Sequence, residues 1–359
     1  MKAAICYEFG QPLVVEEVTL DPPGAGEVEV TVAACAICHS DLHWIRGHWG
    51  GETPLVAGHE AAGTVSAVGP GVSGVGPGDH VVVYLRRACG QCFYCQRGQP
   101  FLCEGKFRLD GESPLRNAGG ARLVQGLRTA AFAERVLVHQ SQVIKVPSDL
   151  PLDRACLLAC GVATGVGAAL NTVRVEAGSN VAVIGAGGVG LNTLQGCRLA
   201  GAGRLIALDV SDEKLAAARV FGATDGVNVT RQAAVEAVLA LTDGRGVDYA
   251  FVAVGSSKAI VQASRMTRRG GTTVIVGMPG NNDAEVTLNA HDLTESRRVV
   301  GSLMGSTTPW ADIPRLAEQY RQGQLLLDEL ISQRYPLERI NEAVEGLERG
   351  AARRNIIVF

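Results

Sequence analysis

Short β segments broken by Gly and Pro fill the first part of this chain, one of them with strict apolar–polar alternation. Val28–Val32 reads VEVTV, Ala62–Val68 reads AGTVSAV and His80–Tyr84 reads HVVVY. The period of two in VEVTV marks a strand that turns one face to a core, AGTVSAV reads as a strand of small residues and HVVVY as a third strand. Pro22-Pro23-Gly24 and the run GPGVSGVGPGD from Gly69 to Asp79 separate these strands with turn chemistry. The pattern predicts a β-rich, barrel-like domain. Over Asp153–Leu170 the periodicity lengthens to that of a helix.

From Asn180 a different rhythm begins. NVAVIG is a continuous apolar run, as expected of a parallel strand covered on both faces. Residues 189–201 read as helix, RLIALD (204–209) as strand, and EKLAAARVFGA (213–223) as a helix with a glycine stop. VDYAFVAVG (247–255) and GTTVIVGMPG (271–280) continue the alternation. Repeated strand–helix units predict a doubly wound parallel sheet, so the fold class is α/β with a second, β-rich domain. Amphipathic helices over Pro314–Gln322 and Leu337–Gly350 follow, and Asn355–Phe359 closes the chain as a strand.

A length of 359 residues suits two domains, and 47% hydrophobic against 19% charged residues supplies a large core. A net charge of −3 argues against a nucleic-acid partner. No apolar run is long enough to span a membrane, and the start MKAAICYEFG lacks an apolar leader, which predicts a cytoplasmic protein. In a reducing compartment, ten cysteines point to metal or packing rather than disulfides.

Gly185-x-Gly187-x-x-Gly190 leaves a predicted strand and opens a helix, with Asp209 at the end of the next strand. This is a dinucleotide fingerprint: the glycines admit the pyrophosphate and the carboxylate meets the adenosine ribose. Asp209 would repel a 2′-phosphate, so NAD is expected over NADP, and Lys214 could reach the same ribose.

Cys89, Cys92, Cys95 and Cys103 form a closed four-thiolate set suited to structural zinc. A nucleic-acid zinc ribbon would need a basic face, for which Arg86, Arg87 and Arg97 are too few. Cys38, His59 with Glu60, and Cys160 could form an open site. Spacing alone does not settle this, since a lone distant cysteine or histidine is more often a packing residue than a ligand, and Cys35-x2-Cys38 also invites a redox reading.

The motifs CHSDLH (38–43), GHEAAGTV (58–65), the four-cysteine loop, ACGVATG (159–165), GAGGVG (185–190) and RRNIIVF at the C-terminus occur in this order. Over essentially the whole length, the chain resembles the zinc-dependent alcohol dehydrogenases of the medium-chain dehydrogenase/reductase family. The resemblance implies a GroES-like catalytic domain at 1–161 and 304–359 and a Rossmann NAD-binding domain at 162–303. It also implies two zinc ions per subunit: a catalytic one on Cys38, His59 and Cys160, with Glu60 close by or transiently bound, and a structural one on the four clustered cysteines. Cys6, Cys35, Cys156 and Cys197 are left as packing residues.

The implied reaction oxidises an alcohol to the aldehyde, or the reverse, with hydride transfer to NAD. Ser40 takes the alcohol proton, the nicotinamide ribose passes it on, and His43 delivers it to solvent. His39 and Arg354 fall near the pyrophosphate, Gly188 belongs to the phosphate turn, and Thr164 and Val189 back the nicotinamide. Asp41 is expected to orient His59. By the same register Trp49, Leu85 and Met278 line the pocket, which favours a hydrophobic or aromatic primary alcohol. Lys106–Gly126 departs from better-known relatives. An alternative is oxidation of a formaldehyde adduct of glutathione or mycothiol: Trp49 stands where glutathione-dependent relatives place an acidic residue, which counts against glutathione, whereas Arg108, Arg116 or Arg122 could meet the polar groups of mycothiol. A non-catalytic NAD-binding structural protein is a third reading. The linker length implies a homodimer joined through the strand around Arg298–Leu303.

Overall fold

The structure, a computed structural model, describes residues 1–350 and 353–359. It divides into two compact units, Met1–Gly161 with Thr308–Phe359, and Val162–Thr307.

The first unit is β-rich. Lys2–Cys6, Val14–Leu20, Leu115–Asn117, Arg122–Gln125 and Leu55–Val56 close into a small barrel. A larger sheet runs Val143–Lys145, His80–Val83, Glu60–Val68, Glu27–Ala36, Arg354–Val358, Ile331–Pro336, with Arg135–His139 also pairing to Glu27–Ala36. The alternation seen in the sequence holds on Glu27–Ala36: Val28, Val30 and Val32 are buried and Thr31 is exposed. They pack with Ile5, Val65, Val81, Leu123, Phe132 and Ile357 in one core. Register places Ala36 opposite both Glu60 and Ile356. That pairing brings the chain just before Cys38, the His59–Glu60 pair and Arg354 to one end of one sheet.

The second unit is a parallel sheet in the order Asp225–Asn228, Arg204–Asp209, Asn180–Ile184, Val247–Val252, Thr267–Ile275, Arg298–Gly301. Its apolar strands read as buried runs because helices cover them: Ala182, Ile184, Ile206, Leu208, Ala250 and Val252 share a core with Val238, Ile260 and Met266. Strand order reverses beside Asn180–Ile184, which puts the glycine turn at the topological switch point.

Several elements differ from the sequence reading. The strand Asp225–Asn228 and the helices Ala234–Leu241 and Ser257–Met266 lie where no element was assigned. The strand expected at 271–280 is Thr267–Ile275, and GMPG after it is loop. The helix expected from Pro314 starts at Pro309, because Pro309 takes the first helical turn and Pro314 is carried inside. The segment read as one helix over Asp153–Leu170 breaks at Cys160, whose φ −140 and ψ −72 leave helical space. Leu303–Thr307 stays with the second unit, where Thr307 Oγ1 donates to the Ala163 carbonyl at 3.3 Å, so the return falls at Thr308 rather than at 304. Among the described residues no single helix is long and apolar enough to cross a membrane.

Candidate active site

Cys38 ends the sheet's reach and caps the helix His39–Ile45 in an extended conformation (φ −112, ψ 158). Asp41, one turn on and fully buried, ties this corner together. Its Oδ2 accepts from the Cys38 N–H at 2.9 Å, and its Oδ1 accepts from the Gly58 N–H and His59 Nδ1, each at 2.9 Å. A carboxylate offers only acceptors, so His59 carries its proton on Nδ1 and turns the lone pair of Nε2 the other way. Nε2 lies 3.3 Å from Cys160 Sγ. One donor atom each from Cys38, His59, Glu60 and Cys160 fall within 4.8 Å of one another, all buried.

The charges at this cluster call for a cation. Among the described residues both oxygens of Glu60 are buried without a hydrogen-bond donor, and Arg354 Nε stands 3.4 Å from one of them. Burial pushes the Glu60 carboxyl up to about 7, against the pull of Arg354. The hydrogen bond with Cys160 holds the Cys38 thiol well below its usual range, and the Cys160 thiol is pushed up beside it. Two thiols, an oriented imidazole and an undonated carboxylate converging in a dry site are the donor set of an open zinc centre.

Cys89, Cys92, Cys95 and Cys103 also bring their sulfurs within 4.8 Å. Backbone N–H groups point at them, from Cys89 and Gly105 to Cys103 Sγ (3.2 and 3.3 Å) and from Cys92 to Cys89 Sγ (3.3 Å). N–H donors of Cys95 and Glu104 hold the Cys92 thiol down at about 6. Thiolate-favouring donors around four sulfurs fit a second, closed zinc site.

Arg354, expected near a pyrophosphate, is 2% exposed and faces Glu60, with Nη2 unpartnered among the described residues. Ser40 is half-buried and His39 exposed on the helix they share. His43 is half-buried, its ring stacked on Trp49 with centroids 4.7 Å apart. Burial, then His48 and His39, hold the His43 imidazole below its ordinary value. Leu85 is half-buried, and its carbonyl accepts from Gln142 Nε2. Met278 is 56% exposed in the second unit.

Of the arginines weighed for a carrier thiol, Arg108 is taken by Glu27 (2.6 and 2.8 Å) and Arg122 by the Gly111 carbonyl, while Arg116 is exposed on a barrel strand. Arg87, counted as surface charge in the sequence, is fully buried. Its guanidinium donates to Gln142, Asp110, Gln125 and the Arg128 carbonyl. Only the polar residues scattered over three stretches of chain, around Asp110, Gln125–Arg128 and Gln142, hint at this network in the sequence. His48, discussed below, was also passed over, although GH directly after a short helix signals a stop that returns the chain.

In the second unit a Cβ on Gly190 would collide with the Gly185 carbonyl oxygen, so the helix Gly188–Leu199 can start against the turn only with glycine there. Around Gly187 the same test finds open space, room for a phosphate at the helix N-terminus. Asp209 Oδ2 accepts from the Ala186 N–H at 2.8 Å and Oδ1 from the Ser211 N–H at 3.1 Å, which fixes the carboxylate beside the glycine turn. Lys214 is half-buried on the next helix. Thr164 is buried, and Gly165 sits against the backbone of Val189.

Two family models match the chain: the alcohol dehydrogenase GroES-like domain over residues 24–148 and the zinc-binding dehydrogenase domain over residues 188–320. The chain is 38% identical to alcohol dehydrogenase class-3 of Drosophila melanogaster, over 100% of this chain and 97% of that protein. It is 37% identical to the S-(hydroxymethyl)glutathione dehydrogenase of Saccharomyces cerevisiae, over 99% and 95% of the two. Benzyl alcohol dehydrogenase from Acinetobacter calcoaceticus superposes with a TM-score of 0.93 at 30% identity, covering 100% of this chain and 99% of that one. Whole-length identity of this degree, on a chain that presents both zinc donor sets, places it in the zinc-dependent alcohol dehydrogenases of the medium-chain dehydrogenase/reductase family, NAD-dependent oxidoreductases.

Proposed function

We propose that this chain oxidises a hydrophobic or aromatic primary alcohol to its aldehyde, and reduces the aldehyde in return, with NAD as the hydride carrier. The observation that carries the substrate reading is the apolar ring of Trp49 laid against His43. An apolar wall beside a proton-accepting group suits an aryl or alkyl carbinol and excludes competing water. Zinc bound by Cys38, His59 and Cys160 would supply Lewis acidity toward the substrate oxygen, and NAD would supply the hydride acceptor.

The chain's own residues do the rest. Asp41 sets the tautomer of His59 and braces Cys38, so the donors keep their geometry when substrate exchanges. Arg354 balances Glu60 at the buried centre. Ser40 accepts the alcohol proton and His43 hands it toward solvent. The depressed basicity of His43 suits a group that must release a proton quickly. Gly185, Gly187, Gly188 and Gly190 accept the pyrophosphate, Asp209 with Lys214 holds the adenosine ribose, Thr164 and Val189 back the nicotinamide, and His39 contributes near the phosphates. None of these positions is lost, which speaks against a non-catalytic NAD-binding role.

A second reading keeps the chemistry and changes the substrate. Two relatives similar over nearly their full lengths carry the names class-3 alcohol dehydrogenase and S-(hydroxymethyl)glutathione dehydrogenase, which favours a formaldehyde–thiol adduct. Against it, Arg108 and Arg122 already have partners and Trp49 presents no charge to the carrier. Initial rates of NADH formation separate the two, with benzyl alcohol in one arm and formaldehyde plus glutathione or mycothiol in the other. Turnover of benzyl alcohol that a zinc chelator abolishes is expected. Turnover only with the thiol adduct would replace the first reading by the second.

A further inference from the structure

His43 has one ring nitrogen already engaged. Its Nδ1 lies 3.1 Å from Nδ1 of His48, and the two rings meet edge to face with centroids 5.3 Å apart. Trp49 covers a face of the same ring. Backbone geometry builds this contact. The helix His39–Ile45 ends with Gly47 at φ +71, the Gly47 N–H donating to the Trp44 carbonyl at 3.0 Å and the His48 N–H to the His43 carbonyl at 2.9 Å. That pair of bonds is the Schellman motif, which folds the chain back so that His48 returns over His43. Only glycine serves at the turn: the left-handed φ disfavours a side chain, and a Cβ would stand 2.9 Å from Phe9 Cγ. Arg46, between the two histidines, is pinned to Glu348 by two bonds of 2.7 and 2.9 Å. His43 is half-buried whereas His48 is exposed.

A neutral imidazole has one N–H and one lone pair. An Nδ1–Nδ1 contact of this length therefore has a proton on one ring and an acceptor on the other. We propose that His48 takes the proton onward from His43 and releases it to solvent, making the outward path two imidazoles long. The inference rests on the reading of Ser40 and His43 as a proton relay. The step balances. His43 gains a proton at Nε2 from the relay hydroxyl and gives its Nδ1 proton to Nδ1 of His48. His48 then gives its Nε2 proton to water or a buffer base. One proton leaves, no electrons move, and both rings finish in the opposite tautomer, restored by exchange with water. Trp49 keeps the His43 ring from turning its Nδ1 away from its acceptor. His48 acts through His43 and touches neither substrate nor cofactor.

The test uses the zinc- and NAD-loaded enzyme as His48→Gln, His48→Phe and His43→Gln. Single-turnover oxidation of benzyl alcohol is followed by NADH absorbance, and proton release by an indicator dye. Both His48 variants should slow proton release about 5-fold at neutral pH with the KM for NAD unchanged, and millimolar imidazole should restore the rate. Wild-type rates should not respond to imidazole. Wild-type release in the His48 variants, or a loss that imidazole does not repair, overturns the inference. A slow His43→Gln beside normal His48 variants sinks the second imidazole alone, whereas a normal His43→Gln sinks the relay itself. Independently of turnover, NMR of histidine-labelled protein should show His43 and His48 with complementary Nδ1 protonation that His48→Gln abolishes. Two rings in the same tautomer, each unaffected by loss of the other, would contradict the shared proton.

Discussion

A single carboxylate, on Asp41, holds the Cys38 amide, the Gly58 amide and the His59 ring at 2.9 Å each. It sets both the path of the ligand-bearing chain and the tautomer of a ligand. Asp41→Asn would keep the volume but turn an amide N–H toward one of these donors. It should lower affinity for the zinc at Cys38, His59 and Cys160 about 10–100-fold, read by competition with a chromogenic chelator, while the four-cysteine site keeps its metal. Equal affinity at both sites would show that Asp41 does not orient His59. His39 makes a second residue-scale case: it is exposed beside Cys38, and a neutral imidazole grips phosphate less than a guanidinium does. His39→Arg should slow NADH dissociation several-fold in stopped flow, and release as fast as wild type would refute the contact. Motif and spacing put Cys38, His59, Cys160 and the four clustered cysteines within reach of the sequence. Arg354 is the opposite case. Its motif suggested a pyrophosphate, but its burial against Glu60 depends on the strand Arg354–Val358 lying beside Glu27–Ala36, a pairing across more than three hundred residues.

Elements carry the site by where they stop. The helical segment after Leu152 breaks at Cys160, and the break frees that sulfur for the other donors. The helix His39–Ile45 begins on one zinc donor and ends on the turn that returns His48. Beside the structural zinc loop, Arg87 replaces a hydrophobic core with a polar one: four acceptors from three stretches of chain meet a single fully buried guanidinium. Removing it strands those acceptors, because a broken buried pair costs more than an intact one contributes. Arg87→Met should destabilise the protein by about 3 kcal/mol, seen as a lower thermal midpoint, with zinc content retained if the Cys89–Cys103 loop is independently held. A midpoint equal to wild type would mean the network contributes no net stability. Arginine pairs in the sequence look like surface charge. Whether one is interior depends on which strands flank it, and periodicity does not encode that.

For the whole molecule, the second unit holds the Asp209 carboxylate beside the glycine turn, where the proposed function has it choose between NAD and NADP. Asp209→Ala should lose most of the preference for NAD over NADP, compared as kcat/KM with each, and a preference unchanged from wild type would place the ribose elsewhere. One of the two edge strands of that sheet, Arg298–Gly301, pairs among the described residues on one side only, with Thr267–Ile275. We propose that two copies pair there, since an open strand edge is a template for another. Sedimentation should then give twice the 37.5 kDa chain mass, and Val299→Asp should shift it toward the monomer. A wild-type monomer would end that proposal.

The local code of the chain determined much by itself. Short strands between Gly and Pro turns in the first part, buried apolar runs after Asn180, the glycine fingerprint and the cysteine spacing are short-range patterns, each with a physical cause within a few residues. Tertiary structure alone decided what lies far apart in sequence: Asp41 against Gly58 and His59, Arg354 beside Glu60, Arg87 among acceptors from three stretches of chain, and Cys160 brought near Cys38. Those contacts are set by strand pairing and by burial of charge, and both depend on the sum of many weak apolar contacts rather than on any motif.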